Sequence, residues 1–243
     1  MIEVYDSHLH MGMLSDKCIV HPKEVLQFIC KHHVSGGIIM PTARVNGGDD
    51  LTLYEGLYKE SDNLGFKNAL YVNRDVLRMF KEDSLSINRF CALKIHQEAV
   101  DFDEHELNDV FIMASEIDIP LFIHTSAHPK CRPYKYERHI SKFPKQKVVL
   151  CHGRPLIEAE SLMNQYKNIW IDTAFLSIEN LKIFVSHGFS DRILFGSDYP
   201  INRWFFEKDE TEWYHGLICN IEHSFSKCVA NKLLRDNFLK LFN

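Results

Sequence analysis

The segment Pro120–Pro155 reads PLFIHTSAHPKCRPYKYERHISKFPKQKVVLCHGRP. It opens on Leu121–His124 and nears its close on Val148–His152, two short apolar runs, partly β-branched, that each stop at a histidine. A run that is apolar at almost every position suits a strand covered on both faces, as in a parallel sheet. One such run alone is also compatible with buried helix, but each is too short for a typical one. Runs of the same kind stand at Ile2–Asp6, Gly37–Pro41, Asn68–Asn73, Cys91–His96, Ile169–Asp172 and Ile193–Gly196.

Amphipathic stretches lie between these runs. Pro22–Val34 puts Val25, Phe28 and Ile29 on one face, and Glu104–Ile117 does the same with Leu107, Val110, Phe111 and Ala114. Pro155–Tyr166 and Ile178–His187 repeat the pattern, Asn46–Leu64 is a less regular helix candidate, and Lys227–Phe242 carries apolar residues at helical spacing to the end. Successive runs are roughly 20–35 residues apart, about one βα unit each. Eight runs in a chain of 243 residues predict an α/β protein, a (β/α)8 TIM barrel forming one domain over residues 1–243. The alternative is an open doubly wound sheet; no Gly-rich phosphate loop follows any run, which weakens its nucleotide-binding version.

Composition narrows the function classes. Lys and Arg number 28 against 33 Asp and Glu, a net charge of -5, which argues against wholesale binding of nucleic acid or of an anionic membrane. Hydrophobic residues at 45% and charged residues at 25% fit a globular chain able to bury a full core without staples. The 7 cysteines form no CxxC pair, and an odd, unpatterned set fits reduced thiols in a cytoplasmic protein. No apolar run is long enough to span a membrane, and the first residues lack the basic and apolar regions of a signal peptide.

Chemistry in such barrels collects where the strands end. The first run closes as Asp6-Ser7-His8-Leu9-His10, and strand alternation predicts that Asp6, His8 and His10 point the same way. Two neutral imidazoles on one face can chelate a cation; two partly exposed strand-end histidines are the plainer alternative. His124, His152 and Asp198 each close a further run. Imidazole and carboxylate together suit zinc, manganese or non-haem iron(II). Alternation aims Cys151 away from His152, into the core. Lys94 and His96 share a face inside an apolar run, where a lysine is costly. Lys94 is a partner for a substrate carboxylate, a carbamylated bridge between two metals, or a lysine paired with an acid on the barrel floor.

These motifs resemble, in order, those of the amidohydrolase superfamily, in its amidohydrolase-2 branch of TIM-barrel metal-dependent hydrolases. They are Asp6–His10, Leu93-Lys94-Ile95-His96, Phe122-Ile123-His124-Thr125, Cys151-His152-Gly153 and Phe195–Pro200. The resemblance implies a distorted barrel with His8, His10, His124 and Asp198 as metal ligands and His152 beside them. It implies a single divalent ion, usually zinc or manganese. Gln97 replaces the proline of the branch's Lys-x-His-Pro form, and His152-Gly153-Arg154-Pro155 stands where many relatives have His-Gly-Gly. Arg154 is either a contact for an anionic substrate or a surface residue. The basic loop from His128 to Tyr136 is either part of the substrate wall or solvated. Trp204–Tyr214 lines a pocket mouth, forms a homodimer contact, or packs on the barrel.

The leading expectation is hydrolysis of a small molecule carrying an amide, ester or lactone, with Asp198 and His152 as catalytic residues and Lys94, Arg154 and His128 as substrate contacts. Decarboxylation of an aromatic or unsaturated acid on the same ligands is the second expectation. A metal-binding relative with a disabled site is the non-enzyme alternative.

Overall fold

The computed structural model describes residues 2–242 apart from 16–17, 46–47, 50, 64–65, 86, 88 and 205–208. Eight strands carry the anticipated runs: β1 (Val4–Ser15), β2 (Val34–Val45), β3 (Lys67–Tyr71), β4 (Phe90–Ile95), β5 (Leu121–His124), β6 (Val148–Cys151), β7 (Ile169–Asp172) and β8 (Ile193–Leu194). They pair in chain order, each parallel to the next. The sheet curls until its ends meet. Ser7 N donates to Phe195 O, Asp198 N to His8 O and His10 N to Tyr199 O, each at 2.8 Å, and Leu9 bridges Tyr199 in parallel. The expected barrel is what forms.

Two strands run longer than the sequence suggests. β1 continues through both histidines to Ser15 because Cys18–Val20 folds back antiparallel on it. Gly48–Asp49 does the same to the end of β2.

Helices α1 (Pro22–His32), α2 (Leu51–Asn63), α3 (Arg74–Lys81), α4 (Glu104–Ile117), α5 (Glu137–Lys142), α6 (Leu156–Gln165), α7 (Ile178–Ser186) and α8 (Glu210–Ser224) link the strands or follow the last one. Polar side chains start several of them by accepting otherwise unpaired amide hydrogens. Asn73 accepts from Val76 N, Ser177 from Asn180 N, and Asp103 forms a capping box with Glu106. No helix among the described residues is long and apolar enough to cross a membrane.

The core has two layers. Leu9, Ile39, Leu70, Leu93, Ile123, Leu150 and Ile171 face outward from the strands into the helices. Ile38, Met40, Ala69, Ala92, Phe122, Val149, Trp170 and Leu194 face inward and form an apolar floor. The last helical stretch, Lys227–Phe242, contains a π-helical turn at Lys232–Asp236 and pushes Phe238 and Leu241 into that floor. Phe238 meets Tyr5 of β1 with ring centres 5.2 Å apart. One end of the barrel is therefore stoppered by hydrocarbon, and its polar interior residues gather toward the other end.

Trp213 and Tyr214 are buried within the chain, Tyr214 against Phe28 and Phe195. For these two residues, packing on the barrel is the reading that holds. Residues 205–208, and with them Phe205 and Phe206, lie outside the described residues.

Candidate metal centre

His8 and His10 lie two residues apart on β1, and both rings turn into the barrel. Asp198 follows β8 on backbone with φ 60°, a left-handed conformation that costs a non-glycine residue on the order of 1 kcal/mol. It is held there by the backbone bond from Asp198 N to His8 O at 2.8 Å. Gly196 makes the approach feasible, because a Cβ at that position would meet His8 Cβ at 2.9 Å.

The three side chains converge. Asp198 Oδ1 stands 3.2 Å from His8 Nε2 and 3.0 Å from His10 Nε2, yet this buried oxygen receives no well-aligned hydrogen bond. The far nitrogen of each ring is already engaged. His8 Nδ1 donates to Asp172 Oδ2 at 2.8 Å, and His10 Nδ1 to the Met40 carbonyl at 3.2 Å. With each Nδ1 carrying the proton, both Nε2 atoms present lone pairs toward the same carboxylate oxygen. Two lone pairs and an unsatisfied carboxylate oxygen, all buried, are the donor set a divalent cation requires. The residues fit the ion that the sequence implies.

His124 is placed to act with them. It lines the same cavity of about 210 Å³ as His8, His10, Tyr71, Lys94, His96 and Asp198. It lies outside the close group formed by His8, His10 and Asp198. Its ring stacks on His96 with centres 3.8 Å apart, and its Nδ1 is 3.1 Å from His152 Nε2. His152 Nδ1 in turn donates to the Ala174 carbonyl at 3.2 Å, so His152 Nε2 is the acceptor and His124 Nδ1 the donor. His124 Nε2 is thereby left with a free lone pair toward the cavity, while the His8 Nε2 lone pair also faces Lys94 Nζ at 3.3 Å.

The electrostatics agree with neutral rings at His10, His124 and His152 around an ionised carboxylate. Burial lowers the pKa of His10, and burial followed by the charges of His96 and His152 takes His124 well below the usual histidine range. Burial holds His152 at about 3. Burial pushes Asp198 upward, but His8, His10 and His152 outweigh it and keep the carboxyl well below the ordinary aspartate value. Asp172 is likewise raised by burial and lowered further by His8, to about 2.

Sequence reasoning passed over Asp172. It ends a run as His124 and Asp198 do, and that was the available signal. Its Oδ2 orients His8, while its Oδ1 accepts from the backbone N of His152 at 2.8 Å and of Ala174 at 3.1 Å. One carboxylate thus fixes two of the site's histidines.

Two expectations from alternation are corrected. Asp6 does not share the face of His8 and His10. A bulge between Asp6 and Leu9 adds a residue to β1 relative to β2 and changes the phase of the side chains. Asp6 Oδ1 instead accepts from the backbone N of His8 at 3.1 Å and of Ser197 at 3.0 Å, behind the site. Burial raises its pKa to about 6. Cys151 points inward, not away. His152 has φ 71°, and that left-handed turn swings its ring back inward, so neighbouring residues both face the interior.

Lys94 is only 2% exposed, and its Nζ lies 3.0 Å from Cys151 Sγ and 3.3 Å from His8 Nε2. Among the described residues no carboxylate lies within ion-pair reach of it, so the paired lysine on the barrel floor is not what forms. Arg154 and His128 are not brought to the cavity. Arg154 lies over Phe175 at 5.8 Å, with Nε 3.4 Å from the Thr125 carbonyl. His128 is 41% exposed at the mouth.

A family model described as amidohydrolase matches residues 74–243. No curated protein matches the chain in sequence. Among solved structures, the chain is similar to an amidohydrolase from Burkholderia multivorans with bound zinc, at 12% identity and TM-score 0.74 over 99% of each chain. It is similar to 2,6-dihydroxybenzoate decarboxylase complexed with 2,6-dihydroxybenzoate, at 14% and 0.71 over 99% of this chain and 98% of that one. It is also similar to a provisionally named 2-pyrone-4,6-dicarboxylic acid hydrolase from Pseudomonas putida, at 14% and 0.73 over 100% of this chain and 98% of that one. At these identities the likeness establishes the barrel fold.

Proposed function

This chain belongs to the amidohydrolase family and is an enzyme of that type, and we propose that it is a hydrolase using one divalent ion, zinc or alternatively manganese, to cleave a small amide, ester or lactone. The observation that carries this reading is the meeting of His8 Nε2 and His10 Nε2 at the unsatisfied Asp198 Oδ1. His8, His10, Asp198 and, across the cavity, His124 would hold the ion. When bound, such an ion supplies Lewis acidity, polarising a carbonyl and bringing the pKa of water toward neutrality.

The residues of this chain do the rest. Asp198 has one oxygen among the imidazoles and a second with which to take the proton of the attacking water; it then delivers that proton to the leaving group. His152 is neutral and donates its Nδ1 proton to Ala174, so it acts through His124, holding that ring with Nε2 toward the cavity. Lys94 offers a buried positive group beside the reacting centre for an anionic part of the substrate. The small cavity favours a compact molecule.

That same Lys94 favours a second reading, decarboxylation of an aromatic or unsaturated acid, in which it would hold the departing carboxylate. The chain's likeness to 2,6-dihydroxybenzoate decarboxylase supports keeping this reading. Isotopes separate the two. A panel of lactones, esters, amides and aromatic acids is turned over in heavy-oxygen water and, separately, in heavy water. Heavy oxygen in a new carboxylate is expected. Carbon dioxide with deuterium at carbon, and no heavy oxygen in the product, would overturn the hydrolase assignment and leave the metal centre standing.

A further inference from the structure

The mouth of the barrel holds a second group of metal-competent side chains that the reaction does not use. Glu98, on the short helix Gln97–Val100 after β4, and His128 and Cys131, in the loop after β5, bring one ligand atom each within 4.8 Å of one another. The local geometry explains the pairing of the last two. Pro129–Cys131 is a 3-10 turn with Cys131 N bonded to His128 O at 2.9 Å, and residues three apart on such a turn eclipse. The two loops are already joined by Lys130 Nζ and Asp101 Oδ2 at 2.6 Å. Cys131 is fully buried, whereas Glu98 and His128 are about half exposed, so the group has a closed inner end and an open outer one.

We infer that Glu98, His128 and Cys131 form a second metal site that takes a thiophilic divalent ion such as zinc and joins the two loops framing the cavity. Thiolate, imidazole and carboxylate together are a zinc donor set, and three protein ligands leave one position for water. As the ion binds, the Cys131 thiol gives up its proton to solvent and sulfur bonds to the metal. Cys131 also lies within 4.8 Å of the ligand atoms of His96 and His124, which line the cavity. The site therefore bears directly on the cavity wall. It draws on none of His8, His10, Asp198 or His124.

Cobalt(II) provides the test, because a thiolate ligand gives it a near-ultraviolet sulfur-to-metal charge-transfer band that nitrogen and oxygen ligands do not. The metal-free full chain is titrated while bound cobalt and absorbance are followed. Two equivalents are expected, one without the band and one with it. Cys131→Ser should lose the band and one equivalent. His128→Ala, which removes a half-exposed side chain whose Nδ1 accepts from Lys130 N at 3.4 Å, should do the same, and Cys151→Ser should lose neither. A single equivalent without the band, or a band that survives Cys131→Ser or His128→Ala, would overturn the inference. Binding of the banded equivalent alone would uphold it and count against the metal-hydrolase reading.

Discussion

Asp172 Oδ2 lies 2.8 Å from His8 Nδ1, and this contact fixes which nitrogen of His8 faces the cavity. The partners sit on β7 and β1, 164 residues apart in sequence, and both are fully or almost fully buried. Asp172→Asn leaves a side chain of the same shape that can present an amide hydrogen to Nδ1 and reverse the tautomer. Metal affinity should fall roughly 10–100-fold, as is typical when such a supporting partner is lost. Competition against a chelator measures it, and unchanged affinity would remove Asp172 from the site.

Asp198→Asn keeps the volume but removes the carboxylate proposed to carry the proton. With metal saturating, kcat/KM on whichever substrate the panel yields should fall by at least about 100-fold, the low end for loss of a general acid–base group. Full activity with the ion still bound would refute the proton-carrying role.

Asp6 makes stability depend on pH. Its carboxyl is raised from the ordinary 3.8 to about 6, mainly by burial, so the folded chain holds this proton more tightly than the unfolded chain does. Its contribution is fully present below pH 3.8 and is lost as pH rises through about 6. In metal-stripped protein, the stability of wild type relative to Asp6→Asn should drop by up to about 3 kcal/mol between those limits, the value of two pKa units. Urea unfolding at several pH values reads this difference, and parallel curves for the two proteins would contradict it.

Phe238 closes the barrel floor. It is 3% exposed and touches both Tyr5 and Phe242. Phe238→Ala should cost about 3–5 kcal/mol, as deletion of a buried aromatic ring commonly does. The denaturation midpoint should fall at constant slope. A loss under 1 kcal/mol would mean that the last helix is not a structural plug.

The barrel was legible in the sequence because its signals are local. Near-continuous apolar runs such as Val148–Leu150 report burial on both faces, and their regular alternation with amphipathic stretches reports the βα repeat. The residues that close those runs were legible for the same reason: His8, His10, His124, His152 and Asp198 come together because parallel strands all end on one side. Sequence could not reveal that His128 stands at the mouth while Lys94 lies beneath His8, since each follows or sits in a strand of similar appearance.

Other features were decided only by the tertiary structure. Strict alternation put Asp6 on the face of His8, and the bulge before Leu9 moved it behind the site. The same rule aimed Cys151 away from His152; it is buried in the core, but the left-handed turn at His152 lets both residues face in. Asp172 meets His8 only because the sheet curls until β8 lies beside β1, which brings β7 within reach. A run of residues determines its own burial and period, whereas bulges, registers and the closing of a barrel depend on strands far apart in the chain. The sequence therefore determined the fold and which side chains reach one end of it, and the packing of distant strands decided which nitrogen and which oxygen of each meet there.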